Sequence, residues 1–376
     1  MPTDTIRLNG TVRARTPDGT WTALAPHLPR YGITRVADLT GLDHLGLPVW
    51  TAIRPNGHTL AASQGKGATD RLAAISAVME AIELWHAEQP LTVDQLGTAR
   101  DIGLPYPLLS LPVRVPHADL ERLPLEWTSG TGLTTGRPTL IPTSLISRAP
   151  RTMWTPDPMR ATSTGLACGN TRDEALLHAM YEVIERDVLF TDENRDGALR
   201  RLVDPATVDD PYARTLIDRL QDQHVLLELA LLESQYGIPV CLAYLWSEAY
   251  PAWFAGSGCH ADPGIALARA ITEAAQSRLT CIAGTRDDLV SRDEVFDTSP
   301  PSPQPAKAFH PWRHVAYGPG AEGAFADQAQ DIATRIQTVS GHEPIAVALS
   351  GTDEPIAAVK VVAPGAGSRT RRAIPR

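Results

Sequence analysis

Three times in this chain a glycine-rich stretch runs into the pattern Ala-x-x-x-Ala-x-x-Glu-x-x-(Glu/Gln), and this repeat constrains the fold more than any other feature. The copies are Ala73, Ala77, Glu80 and Glu83 after SQGKG (63–67), Ala175, Ala179, Glu182 and Glu185 after STGLACGN (163–170), and Ala266, Ala270, Glu273 and Gln276 after GSGCHADPG (256–264). Residues so spaced lie along one side of an α-helix, because each residue advances about 100°. Helices are predicted over 69–88, 171–190 and 263–282, each with a small-residue patch followed by two acidic or amide side chains.

A second triplication accompanies the first. Segments 33–53, 225–245 and 344–362 each read as strand, polar turn, strand, with β-branched and apolar runs bounded by Gly, Asp and Pro. Sheet pairs alternating with long helices define an α+β protein with helices packed on sheets. The repeat is too long for a solenoid and fits one internally repeated domain over 1–365. Within it, 1–62 is expected to be rich in strand, and 63–190 and 253–290 to carry the site helices. The stretch 291–310 reads as a proline-rich surface linker and 366–376 as a disordered basic tail.

A net charge of −9 argues against nucleic acid as a partner, since phosphate tracking needs a basic stripe. Cys168, Cys241, Cys259 and Cys281 form no Cys-x-x-Cys or zinc spacing, so reduced structural thiols are expected. No apolar run reaches membrane-span length and no secretory h-region is visible, which predicts a cytoplasmic chain without a membrane partner.

The acidic stripes have a bland reading as solvated helix faces. Against it, the stripes carry alanines rather than lysines and arginines, they recur, and Glu80 and Glu83 fall near a helix C-terminus, where the macrodipole opposes carboxylates. The second helix aligns Glu174, His178, Glu182 and Glu185, followed by Arg186, with Asn170 and Thr171 as candidate caps. His178 reads as a packing or supporting residue rather than a ligand. The third helix groups Glu273, Gln276 and Arg278, with Arg286, Asp287 and Asp288 beyond; Arg278 could bridge to a carboxylate or to a phosphate. Gln276 keeps an oxygen while dropping a charge. Carboxylates from three helices converge only with cations, and Mg2+ shares carboxylates with substrate phosphates. The glycine-rich stretches read as loops that let backbone approach those phosphates. No Walker A spacing is present, leaving an unconventional Mg–nucleotide site, a carboxylate metal hydrolase and a non-catalytic binding fold as the readings open to the residues alone.

SQGKGATDRLAAISAVMEAIE, GLACGNTRDEALLHAMYEVIERD and ARAITEAAQSRLTCIAGTRDD closely resemble the three signature blocks of the YcaO family, and ITRVADLTGLDHLGLPV and AAVKVVAPG extend the resemblance over nearly the whole chain. The resemblance implies ATP- and Mg2+-dependent modification of peptide backbone amides. A nucleophile adds to a peptide carbonyl, the resulting oxyanion is phosphorylated, and phosphate departs. It assigns Glu80, Glu83, Glu182 and Glu185 to Mg2+, and Arg13, Thr20, Lys66, Asn170, Glu174, Arg186 and Gln276 to the metal and nucleotide shell; the reading of the third helix adds Glu273 to the Mg2+ set and Arg278 to the nucleotide set. The products it implies are azolines from Cys, Ser or Thr, thioamides or amidines. The chain ends AIPR rather than in Pro-x-Pro-x-Pro and shows no leader-binding domain, so a separate TfuA-like or leader-binding partner is expected beside the precursor peptide. A homodimer and a catalytically silent scaffold subunit are the other arrangements the family allows. The 33–53 block looks most like members that work beside TfuA-type proteins.

Overall fold

This computed structural model describes residues 5–148, 157–286, 294–298, 303–304, 310–368 and 374. Most of the expected linker and tail therefore lies outside the described residues, as do Asp287 and Asp288. Ile374 packs against a core cluster.

Strands β1 (Ile6–Leu8) and β2 (Thr11–Arg13) form a hairpin, followed by helix α1 (Pro17–Leu24), so the strand-rich first 62 residues also contain a helix. Next, β3 (Arg35–Asp38), β4 (Val49–Ile53) and β5 (Ala62–Lys66) make an antiparallel sheet that leads into α2 (Asp70–Ala87). Strands β6 (Gln95–Gly97), β7 (Leu125–Gly132) and β8 (Pro138–Pro142) pair side by side, and β9 (Leu166–Gly169) runs into α3 (Arg172–Glu193). Then come β10 (Arg200–Val203), α4 (Pro211–Asp222), β11 (Leu226–Leu232), β12 (Val240–Ser247) and β13 (Tyr250–Cys259), which leads into α5 (Pro263–Ala283). Helix α6 (Phe325–Ser340) and the pair β14 (Ile345–Ala348) and β15 (Ala357–Val362) complete the chain.

All three predicted strand pairs are antiparallel partners, and each gains a third strand that feeds an acidic helix. Two units are continuous in sequence, β3-β4-β5-α2 and β11-β12-β13-α5. The other is split: β9 and α3 come from mid-chain and pair with β14-β15 from near the C-terminus. The registers match, with Trp50 opposite Gly65, Ala357 opposite Gly169 and Cys241 opposite Gly258.

Local chemistry sets the helix starts. Thr69 accepts from the Leu72 N–H, Thr171 from Glu174 N–H, and Asp262 from Gly264 and Ile265 N–H with Pro263 at the first helical position. Thr171, not Asn170, is thus the cap of α3.

The glycine-rich stretches are in large part strand. Gly65, Gly169, Gly256 and Gly258 sit in β5, β9 and β13 directly beneath the helices, where a Cβ on Gly65 would stand 2.0 Å from the Ala77 nitrogen and one on Gly256 2.3 Å from the Ala270 oxygen. The repeated alanines are the other half of this contact: Ala73, Ala77, Ala175, Ala179, Ala266 and Ala270 are fully buried. Glycine on the strand and alanine on the helix bring the two backbones together, which explains Gly65, Gly169, Gly256 and Gly258 by packing alone. Each helix also packs on the next unit's strand, α2 on β9, α3 on β13 and α5 on β5, closing a ring.

Candidate active site

The ring encloses a cavity of about 540 Å³ whose wall includes Glu80, Glu83, Glu182, Glu185, Glu273 and Gln276. Arg13, Thr20, Lys66, Asn170, Glu174 and Arg186 also line it. Arg278 does not belong here. It is buried outside the cavity, where its Nε donates to Asp43 at 2.7 Å and its guanidinium stacks near Tyr250 and Phe254. Of the two roles its spacing allowed, it takes the carboxylate bridge.

Three equivalent hydrogen bonds join the units. Glu83 of α2 accepts from the Cys168 N–H of β9 at 2.8 Å, Glu185 of α3 accepts from the Ser257 hydroxyl of β13 at 2.8 Å, and Gln276 of α5 donates its Nε2–H to the Gln64 carbonyl of β5 at 3.1 Å. In every case the partner is the residue before the repeat's glycine. The third junction presents a carbonyl oxygen, so it requires a donor, and Gln276 supplies one where a glutamate could not. The amide thus has a donor role besides the uncharged oxygen expected of it.

The N-terminal segment is fixed to the wall through Glu174, which accepts from Arg13 Nη1 at 3.2 Å, Ala14 N–H at 3.1 Å and Asn170 Nδ2 at 3.1 Å. The Thr20 hydroxyl donates to Asn170 Oδ1 at 2.8 Å. These residues hold one another and shape the wall. His178 Nε2 lies 2.7 Å from Arg13 Nη1. Because arginine only donates, His178 accepts there and is the neutral Nδ1–H tautomer; burial and the cations Arg13 and Arg269 push its pKa well below the usual value.

Charge is unevenly compensated. Lys66 Nζ donates to Glu273 at 2.6 Å; burial raises the Glu273 pKa, but Lys66 and Arg186 outweigh it and hold the group at about 2. Glu80 is pushed up to about 7 by burial, and Glu83 and Glu182 are raised too, again chiefly by burial. Arg186 lies 3.2 Å from Glu185 and 3.7 Å from Glu182. At Glu80, Glu83 and Glu182 burial thus outweighs the neighbouring cations, and a further cation would favour their ionised form.

Among the described residues, no three His, Cys, Asp or Glu side chains converge closely enough to enclose a metal by themselves. The carboxylates that line the cavity fit Mg2+, which keeps waters and takes one or two carboxylates plus phosphate oxygens. It fits a phosphate ligand as well: the buried Nε of Arg269, a cavity-lining residue of α5, has no hydrogen-bond partner among the described residues. Sequence reasoning missed Arg269. Aligning the repeats would have exposed it, because Ser76, His178 and Arg269 hold one position, four residues before Glu80, Glu182 and Glu273, and all three line the cavity.

Three like sheet–helix units closed around an acid-walled cavity with cationic side chains define an α+β protein built to gather anions and divalent cations in one place. The family model described as YcaO cyclodehydratase, ATP- and Mg2+-binding, matches residues 64–367, and the chain belongs to the YcaO family. An uncharacterized protein of Mycobacterium tuberculosis is 37% identical over 375 residues, 97% of this chain and 84% of that protein. An uncharacterized protein encoded in the tfuA 3' region of Rhizobium leguminosarum bv. trifolii is 38% identical over 296 residues, 74% of this chain and 70% of that protein. The structure of YcaO from Methanopyrus kandleri bound with AMPPCP and Mg2+ shares the fold, with a TM-score of 0.74 and 22% identity over 97% of this chain and 95% of that one. No helix among the described residues is long and apolar enough to cross a membrane.

Proposed function

We propose that this chain is an ATP- and Mg2+-dependent enzyme that activates a backbone amide of a ribosomally made peptide by phosphorylating the amide oxygen. The observation that carries the reading is the cavity itself, where carboxylates from three helices meet Arg13, Arg186, Arg269 and Lys66. Bound ATP would supply the phosphoryl group that makes the amide oxygen a leaving group, and Mg2+ the neutralisation of its charge. Glu80, Glu83, Glu182 and Glu185 would hold the metal ions, with Glu273 poised by Lys66 beside them. Arg186 and Arg13 would face phosphate oxygens, and Glu174 with His178 would keep Arg13 aimed. Such a reaction depends on positioning and charge. It takes its nucleophile from outside the protein, consistent with Cys168 and Cys259, the cavity's two thiols, being pushed well above the ordinary thiol range by burial.

The nucleophile is a substrate Cys, Ser or Thr side chain, giving an azoline, or sulfide, giving a thioamide. The relative encoded in the tfuA 3' region supports a TfuA-type partner, and the thioamide is the product that the family resemblance links to such partners. Incubating the chain with ATP, Mg2+, a precursor peptide and the TfuA-type protein, and weighing the peptide, decides between them, because sulfur for oxygen adds mass and dehydration removes it. An unchanged peptide together with no ATP turnover would favour the silent scaffold instead.

A further inference from the structure

We infer that Ser257 is a positioning residue that sets the spacing between Glu185 and Glu273, and through it the Mg2+ requirement of the cavity; the inference rests on the ATP–Mg2+ reading above. Ser257 lies on β13, 1% exposed, between Gly256 and Gly258. Side chains alternate along a strand. The two glycines lie against α5, and the serine turns the other way, to Glu185 on α3. Its hydroxyl donates to Glu185 Oε1 at 2.8 Å and stands 3.3 Å from Glu273 Oε1, which also accepts the Ser257 N–H at 3.3 Å. One residue thus touches the acids of two helices at the boundary between two units.

The other two junctions show why this position matters. At its equivalents the strand offers only backbone, the Cys168 N–H to Glu83 and the Gln64 carbonyl to Gln276, which no side-chain substitution removes. At Ser257 alone of the three the junction is a side-chain hydroxyl. Glu185 is also flanked by Arg186 at 3.2 Å. Without the hydroxyl, Glu185 is free to swing toward Arg186, Glu273 keeps Lys66, and the two carboxylates no longer share a fixed separation.

The test is calorimetric titration of a non-hydrolysable ATP analogue at stepped Mg2+ concentrations, with thermal unfolding of each protein. Ser257→Ala is expected to need about tenfold more Mg2+ for half-maximal binding, the order expected for one charge-assisted hydrogen bond, while its unfolding midpoint in the absence of Mg2+ stays near the wild-type value. Ser257→Cys, which keeps the volume but donates weakly, should shift in the same direction and serves if alanine impairs folding. Unchanged Mg2+ dependence in both variants, with a wild type that binds normally, overturns the role of Ser257 alone. A wild-type protein that fails to bind the analogue at any Mg2+ concentration overturns the underlying ATP reading, and this inference with it.

Discussion

Gln276 on α5 donates its amide N–H to the carbonyl oxygen of Gln64 on β5 at 3.1 Å, joining the last sheet–helix unit of the ring to the first. Replacing it with glutamate sets a carboxylate against a carbonyl and adds a charge to a crowded wall. Gln276→Glu should lower stability by about 1–3 kcal/mol, the scale for a buried polar group left without its partner, and weaken nucleotide binding. Chemical denaturation and calorimetry check the two effects. Wild-type stability in the variant would refute the junction.

Glu83 and Glu185 each accept one inter-unit hydrogen bond, and an amide oxygen can accept the same bond. Glu83→Gln and Glu185→Gln should therefore fold while ATP turnover falls at least about a hundredfold, the scale for removing one preorganised electrostatic group. Coupled-enzyme measurement of ADP release, beside circular dichroism, separates the two. Retained turnover in either variant would remove that residue from the metal site.

Arg186 is the cation between Glu182 and Glu185. Arg186→Ala should weaken binding of ATP by about tenfold or more, since a charge-assisted bond contributes about 1.5–3 kcal/mol and 1.4 kcal/mol is tenfold. Arg186→Lys should fall between, keeping the charge without the planar fork. Equal affinity for all three proteins in calorimetry counts against a phosphate contact.

For Arg278 the expectation is the reverse. It and Asp43 form a buried pair with side chains 3% and 2% exposed. Arg278→Ala leaves the buried Asp43 carboxylate without its guanidinium and should destabilise the fold by about 3–5 kcal/mol, with nucleotide affinity of the remaining folded protein unchanged. A selective loss of affinity at full stability would return Arg278 to the site.

The raised carboxylates predict a pH effect. The Glu80 pKa moves from 4.5 to about 7 in the fold, through burial. Its contribution is then constant below about pH 4.5, becomes destabilising as the pH rises toward 7, and is flat above, because the folded state holds the proton longer than the unfolded chain. In Mg2+-free buffer the unfolding midpoint of Glu80→Gln should gain on the wild type across that window, and Mg2+ with nucleotide should close the gap. Parallel midpoints at every pH would contradict this.

Much of the site was legible because helical periodicity and side-chain charge are both written in sequence. The stripes at Glu80, Glu182 and Glu273 fix where the acids project, and the strand pairs fix what the helices pack on. Glycine was harder to read. Its missing Cβ serves a flexible loop and a close strand–helix contact equally well, and only the buried alanines opposite Gly65 and Gly256 decide between them. Arg278 was ambiguous because its partner, Asp43, lies 235 residues away. The donor role of Gln276 was hidden for a related reason, since it is set by a backbone carbonyl that carries no side-chain signature.

The split unit has a bearing on how the protein is made. Helix α3 and its strand β9 leave the ribosome long before β14 and β15, the strands that complete their sheet. Until those strands arrive, the Glu182–Arg186 stretch of α3 is held on an unfinished support, and long-range pairing of this sort is slow. The arrangement makes the sheet beneath α3 depend on the strands that are synthesised last.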